Sequence, residues 1–439
     1  MSTASERTIH ALEQVVKDTP VGTNLALLHL LWAMLSGAFL RSRGALFPAL
    51  QLAGFTAAQI RRCGQALRCG AWCIADLVRA WRRYVLSQGQ WQPNGYEGYS
   101  PVAVDLTAFW RPRLKGQLGK FFQRIAKRAL KGIGFGLVVQ VGQVGGQRIP
   151  LLRHILRAQK AEMSESQLKR QVLEVVARDL DEHEVLVHDA GASIADMQEA
   201  GVPRYVVRMA LNCTARRNRL PPRKPKGRPA EYGELVRPLP RKYKGRTLSA
   251  TPADVETEFS FQGRTIRVHG WQNLVRSDQK VAAAKETFTI WVFFDPLYRT
   301  PLVLGTNLTV RPEAVFRLFL DRWPVEQVPL VAKQLLGLGR QFVFALASRQ
   351  RLPEPALLAA NILTYLAAVL PPLPTGFWDR QPKRTPGRLR RVLAQTGFPE
   401  DYPLEGRIRK KQSVTAHLPK GIRAHRRRKA AYSVGFGPK

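Results

Sequence analysis

The chain has 439 residues, more than one ordinary domain needs and enough to bury a large core. Its 69 Lys and Arg against 32 Asp and Glu give a formal charge of +37, which favours a polyanionic partner bound with release of counterions. Four cysteines, Cys63, Cys69, Cys73 and Cys213, fit neither a zinc ribbon nor a CxxC redox pair and are read as reduced, structural residues.

From Thr8 to Leu86 the pattern is helical. The apolar run Leu25 to Leu40 contains His29, is short of a bilayer span and is followed by Arg41 and Arg43, so a buried helix is expected. Glu6, Arg7 and Glu13 precede it with no apolar signal region, so the protein is expected in the cytoplasm, near the nucleoid if the source is bacterial, with no membrane partner. Ala57, Ile60, Cys63, Gly64 and Leu67 keep helical spacing. Arg61, Arg62, Arg82 and Arg83 would then be displayed, either as a DNA contact or as the solvated basic face of a packing module. Residues 1–98 form this N-terminal helical unit, closed by the polar, turn-rich stretch before Gly98.

Val102, Val104 and Leu106 alternate around Asp105 and predict a strand. An aspartate inside such a strand is costly unless it is paired or binds a metal. Two further strands follow around a turn at Gly145 and Gly146, and then a helix that Ser164 would cap. Val185, Leu186 and Val187 run into Asp189, which places an acid at the carboxyl end of a buried strand, where α/β folds build sites. Asp181 reads as a surface charge and Asp196 as a first-turn helix charge. A helix and another strand then end at Arg208.

Thr214 to Arg246 is dense in Arg, Lys and Pro and reads as an extended or mobile segment, either touching the DNA backbone or serving as a solvated linker. Antiparallel strands carrying Trp271 and Trp291 follow. The stretch from Pro312 to Arg340 carries Phe319, Arg322, Glu326 and Lys333, spaced by three, four and seven residues. Pro324 is expected to start a fresh helix and Pro329 to interrupt its hydrogen bonding, so Glu326 and Lys333 share a stripe. An apolar helix then precedes a basic tail with Lys410 and the cluster Arg426 to Lys429, read as partly disordered until it meets DNA.

Phe319, Arg322, Glu326 and Lys333 are similar to the Tyr–Arg–Glu–Lys signature of the IS-four superfamily of insertion-sequence DDE transposases, and Trp323 looks like the tryptophan that often follows the arginine there. Phe319 departs from the signature tyrosine. The resemblance covers roughly Val102 to Arg340 and implies an α/β fold: an RNase H-like catalytic core interrupted by a β-rich insertion. With the flanking units, the expected division is 1–98 helical, 99–212 first core part, 213–310 basic linker and insertion, 311–372 second core part and 373–439 basic tail. It also implies that Asp105, Asp189 and Glu326 are the catalytic carboxylates and hold two Mg²⁺ ions, with Mn²⁺ as a substitute. Arg208, Phe319, Arg322, Lys333, Trp271 and Trp291 would contact DNA, with either tryptophan packed or presented to a flipped base. The implied substrates are double-stranded DNA ends with inverted repeats and a target DNA, handled by a homodimer. The alternatives are a transposase-derived DNA-binding protein without activity and a metal-dependent nuclease that does not join ends.

Overall fold

The structure is a computed structural model that describes residues 3–111, 119–123, 125–158, 163–223, 227–340 and 346–411. Helices α1 (Thr3–Val16), α2 (Thr23–Leu35), α3 (Ala57–Cys69) and α4 (Ile74–Ser87) occupy the helical stretch. Thr56 and Gln59 cap α3 reciprocally, satisfying amide donors that the first helical turn leaves open. The apolar run is buried as expected, and its one histidine, His29, is held neutral by burial and by the nearby Arg62 charge, its pKa lowered to about 4.

Strands β1 (Ser100–Trp110), β2 (Arg128–Val144) and β3 (Gln147–Arg157) form an antiparallel meander, with the glycine pair at 145 and 146 turning β2 into β3. Both glycines have positive φ, which a tight hairpin turn requires. Helix α5 (Glu165–Asp179), capped by Ser164, returns the chain to β4 (Glu184–His188), which pairs parallel to β1. Helix α6 (Ile194–Glu199) leads to β5 (Tyr205–Arg208), parallel to β4. The order β3-β2-β1-β4-β5 continues through β9 (Leu302–Thr306), β8 (Phe288–Phe294) and β7 (Arg264–Arg276), with β6 (Val255–Phe261) beside β7. Most strands between residues 213 and 310 therefore extend one mixed sheet, which has 13 strands among the described residues, while Arg241–Tyr243 and Arg246–Leu248 form a separate hairpin. The fold is mixed α/β.

Alternation along β1 separates two faces. Val102, Val104 and Ala108 join the core under α5, while Ala103 and Phe109 join the core shared with the N-terminal helices. Gly136 lets α5 lie close on β2, because a Cβ there would meet the Val172 side chain at 2.1 Å. On the other face, α7 (Pro312–Leu320), α8 (Pro324–Gln334) and α9 (Pro353–Val369) follow the sheet in sequence, and α8 and α9 pack into the same core as α1 to α4. Ala347–Val369 is long and apolar enough to cross a membrane, yet 94% of its apolar window is buried inside the fold.

Several expectations change. Arg82 is half-buried and donates to Gln140 of β2, so it is spent on packing and not displayed. Cys63 is a core residue and Cys213 packs beside the core under α5, but Cys69 and Cys73 are exposed because they sit at the end of α3 and just before α4. Within the described part of the basic tail, α10 (Pro386–Thr396) buries Leu389 and Leu393, and Ile408 joins the same core. The cluster Arg426 to Lys429 lies outside the described residues. In the basic segment, Ala215–Arg217 and Leu235–Val236 pair at the sheet edge, and Arg216 and Arg217 are engaged by the Ser277 carbonyl and Asp254.

Buried Asn361 on α9 joins three parts of the core. Its side-chain oxygen accepts from Trp81 Nε1 at 2.9 Å and the Leu152 amide at 3.2 Å, and its Nδ2 donates to the Pro150 carbonyl at 2.5 Å. Asn361→Ala is expected to lower the unfolding free energy by about 3 kcal/mol, since it strands buried donors and an acceptor. Denaturant unfolding should show this loss in a transition shared by the N-terminal helices and the sheet. An unchanged midpoint would refute the assigned role.

Candidate functional site

Asp105 and Asp189 are brought level by strand register. Ala103 pairs with Val187 across the parallel β1–β4 ladder, and each aspartate lies two residues further on, at the carboxyl end of β4. Two residues is one pleat, so both keep the facing of their partners, and adjacent strands lie roughly 4.8 Å apart. Asp105 continues within β1, opposite Leu137, whereas Asp189 follows the last residue of its strand. Ala192 donates its amide to the Asp189 carbonyl, turning the chain into α6.

The helix carrying Glu326 lies over β1. As expected, α7 stops at Leu320 and Pro324 opens α8, with Pro329 inside it. Glu326 therefore sits in a first helical turn, where the helix dipole favours an acid, and Lys333 in the last turn, where it favours a cation. Lys333 donates to Thr107 Oγ1 at 2.9 Å and lies over the rings of Phe109 and Trp110 at 5.2 and 5.4 Å. Burial lowers the Lys333 pKa, opposed by the charge of Asp105. Asp105, Glu326 and Lys333 line one open cavity of about 570 Å³.

Arg322 couples this cavity to Asp189. Its guanidinium bonds Glu326 Oε1 at 2.7 Å, and its charge also acts on Asp189. Burial alone would raise the Asp189 pKa, but the Ala190 amide, Arg322 and Arg208 outweigh it and hold the carboxyl below its ordinary value. Arg208 Nη1 is 3.5 Å from Asp189 Oδ1, an ion pair, and that buried oxygen has no hydrogen-bond partner. The expected residues thus group as Asp105, Glu326 and Lys333 around the cavity, with Asp189, Arg208 and Arg322 linked to them by charge. Among the described residues, no three His, Cys, Asp or Glu side chains are close enough together to hold a metal ion. Glu326 is instead paired with Arg322.

The remaining expected contacts lie elsewhere. Trp271 and Trp291 are buried, and Trp271 Nε1 is bonded to the carbonyls of Thr251 and Pro252. Neither ring is presented to a base, because the alternation that predicted their strands also turns these positions into the core. Phe319 packs beside the core that holds Val185 and Val187. Asp181 is exposed, and Asp196 completes the Ser193 cap of α6 and pairs with Lys169 at 2.9 Å.

Two residues went unnoticed in the sequence. Thr107 was detectable, since Asp105, Thr107 and Phe109 alternate onto the face that receives Lys333. Asp321 gave no such signal. It is fully buried, accepting from Asn94 Nδ2 at 2.7 Å and Tyr96 Oη at 2.8 Å, with Arg148 Nε at 3.0 Å. It fixes the break between α7 and α8 from which Arg322 projects.

Lys333→Met is expected to raise the melting temperature, by about 2–4 °C for each kcal/mol recovered. A lysine whose folded pKa is lowered costs stability below that pKa, and the cost vanishes as pH rises through the ordinary lysine value of 10.5. The advantage of the methionine variant in thermal scans should therefore shrink in strong base; a less stable variant at neutral pH would contradict this reading. For Asp321, burial raises the carboxyl pKa. Its ionisation therefore costs stability that accrues as pH rises from the unfolded to the folded pKa. The unfolding free energy of the native protein relative to Asp321→Asn should fall over that acidic range, and a constant difference would contradict it.

In comparison with known proteins, no protein-family model matches the chain, and no curated protein matches it significantly.

Proposed function

We propose that this chain is an insertion-sequence DDE transposase, which cleaves DNA at the ends of a mobile element and joins them to a target. The observation that carries the reading is the register that sets Asp105 on a central strand level with Asp189 on the adjacent parallel strand, together with the cavity that Asp105 shares with Glu326 and Lys333 and the Arg322–Glu326 pair beside it. The β3-β2-β1-β4-β5 order, with three antiparallel strands followed by two parallel ones, supports an RNase H-like core. The strands from 213 to 310, lying between Asp189 and Glu326, are in keeping with an insertion in that core.

Carboxylate oxygens are the donors that Mg²⁺ prefers, and the buried Asp189 Oδ1, which has the Arg208 ion pair but no hydrogen bond, suits such an ion. Asp105, Asp189 and Glu326 would hold the ions, which when bound supply activation of an attacking oxygen and stabilisation of a leaving one. The chain's own residues do the rest. Lys333, desolvated on the floor of the cavity, gives a phosphate a cation whose field is little screened. Arg322 presents a planar guanidinium, suited to two phosphate oxygens once it is exchanged from Glu326. The Arg322–Glu326 pair and the missing hydroxyl at Phe319 favour, as a second reading, a protein that binds DNA without cutting it.

The test is cleavage and strand transfer on DNA carrying the element's own ends, with Mg²⁺ or Mn²⁺. Glu326→Gln is expected to reduce both by on the order of a thousandfold or more while end binding persists. Cleavage unaffected by the substitution would overturn the assignment. Binding without cleavage in the unsubstituted protein would establish the second reading.

A further inference from the structure

Phe377 and Trp378 stand clear of the fold, 97% and 67% exposed. Their rings meet edge to face, 5.2 Å between centroids and at 79°. The turn that carries them is braced. Asp379 accepts from the Thr375 amide at 3.0 Å and from its hydroxyl at 3.1 Å, and forms an ion pair with Arg388 at 2.8 Å. Arg388 also donates to the Leu373 carbonyl, and a Leu373–Lys383 bridge closes the base of the loop. The Trp378 ring lies against Gly376, where a Cβ would come within 2.4 Å of it.

The surroundings are strongly cationic. Arg380, Lys383 and Arg384 are exposed, and the single carboxylate between residues 373 and 399, Asp379, is matched by Arg388. Large apolar surface left in water forgoes its burial energy, and here a tied-down turn keeps it there. Aromatic faces held among cations suit a nucleic-acid strand, whose bases stack while its phosphates are neutralised. An apolar protein partner would gain nothing from the three cations, and the formal charge of +37 points the same way.

We propose that Phe377 and Trp378 form a stacking platform for an unpaired base of DNA, with Arg380, Lys383 and Arg384 on the neighbouring phosphates. The proposal rests on DNA as the partner, as in the reading above, and makes no use of the carboxylate site. It also places base contact away from Trp271 and Trp291, which are buried.

The experiment measures binding by the full chain, without divalent metal, to a blunt duplex and to the same duplex with a single-stranded overhang. The double variant Phe377→Ala with Trp378→Ala should lose roughly tenfold or more in affinity for the overhang and little for the blunt duplex. Phe377→Tyr with Trp378→Phe should retain the preference. Alanine at Arg380, Lys383 and Arg384 together should reduce the salt dependence of overhang binding by a slope of about 2. An unchanged melting temperature confirms that each variant is folded. Equal affinity of the aromatic double variant and the parent for the overhang overturns the proposal, as does an equal loss on both DNAs. A loss confined to anionic phospholipid vesicles also overturns it and assigns the patch to a membrane. Because cleavage is not read, failure here leaves the Glu326 assignment standing, and failure of Glu326→Gln leaves this binding result intact.

Discussion

A single buried carboxylate sets the geometry on which the candidate site depends. Asp321 has no exposed side-chain surface, and the three groups around it come from two places: Asn94 and Tyr96 ahead of β1, and Arg148 at the start of β3. Burying a carboxylate is tolerable only when it is paired or hydrogen-bonded, and here two hydrogen bonds to Oδ2 and the Arg148 ion pair at Oδ1 tether the break between α7 and α8 to the sheet. Arg322 follows immediately, and Glu326 lies one helical turn further on. The position of both relative to Asp105 is therefore inherited from Asp321. Its role is positional, since none of its bonds reaches the cavity.

The sheet adds a second constraint. Parallel pairing of β1 with β4 in the Ala103–Val187 register is what makes two acids, more than eighty residues apart in the chain, neighbours at one level. A slip of one residue would turn Asp189 to the opposite face, where the core under α5 lies. Both central strands are packed on both faces, which makes such a slip prohibitively costly. The helices at the N-terminus contribute to the same rigidity: they share a core with α8, α9 and the face of β2 and β3. Asn361 shows how that sharing is specified, since one amide bonds a helix of the N-terminal unit and two residues of β3.

Charge is distributed with comparable economy. Lys333 and Arg322 are drawn into the site and partly desolvated, while Arg82, Arg216 and Arg217 are spent on internal contacts. A large positive total therefore does not mean that every basic residue faces a partner. What the total does provide is a field that favours polyanions, within which exposed groups such as those around Trp378 can act.

Local patterning was legible from the sequence alone, because it follows from side-chain periodicity and backbone chemistry. The strand around Asp105, the glycine turn, the Ser164 cap, the acid after Val187 and the restart of a helix at Pro324 all depend on residues within a few positions of each other. The spacing of Glu326 and Lys333 placed both over one strand for the same reason. Tertiary structure decided the rest. Which face a tryptophan takes, whether Arg82 meets solvent or Gln140, and which partners surround Asp321 depend on chain segments tens to hundreds of residues away. Asn94 and Asp321 are adjacent only because the sheet and helices bring them together. No local pattern encodes that, since the free energy of burying a polar group depends on what the complete fold places beside it.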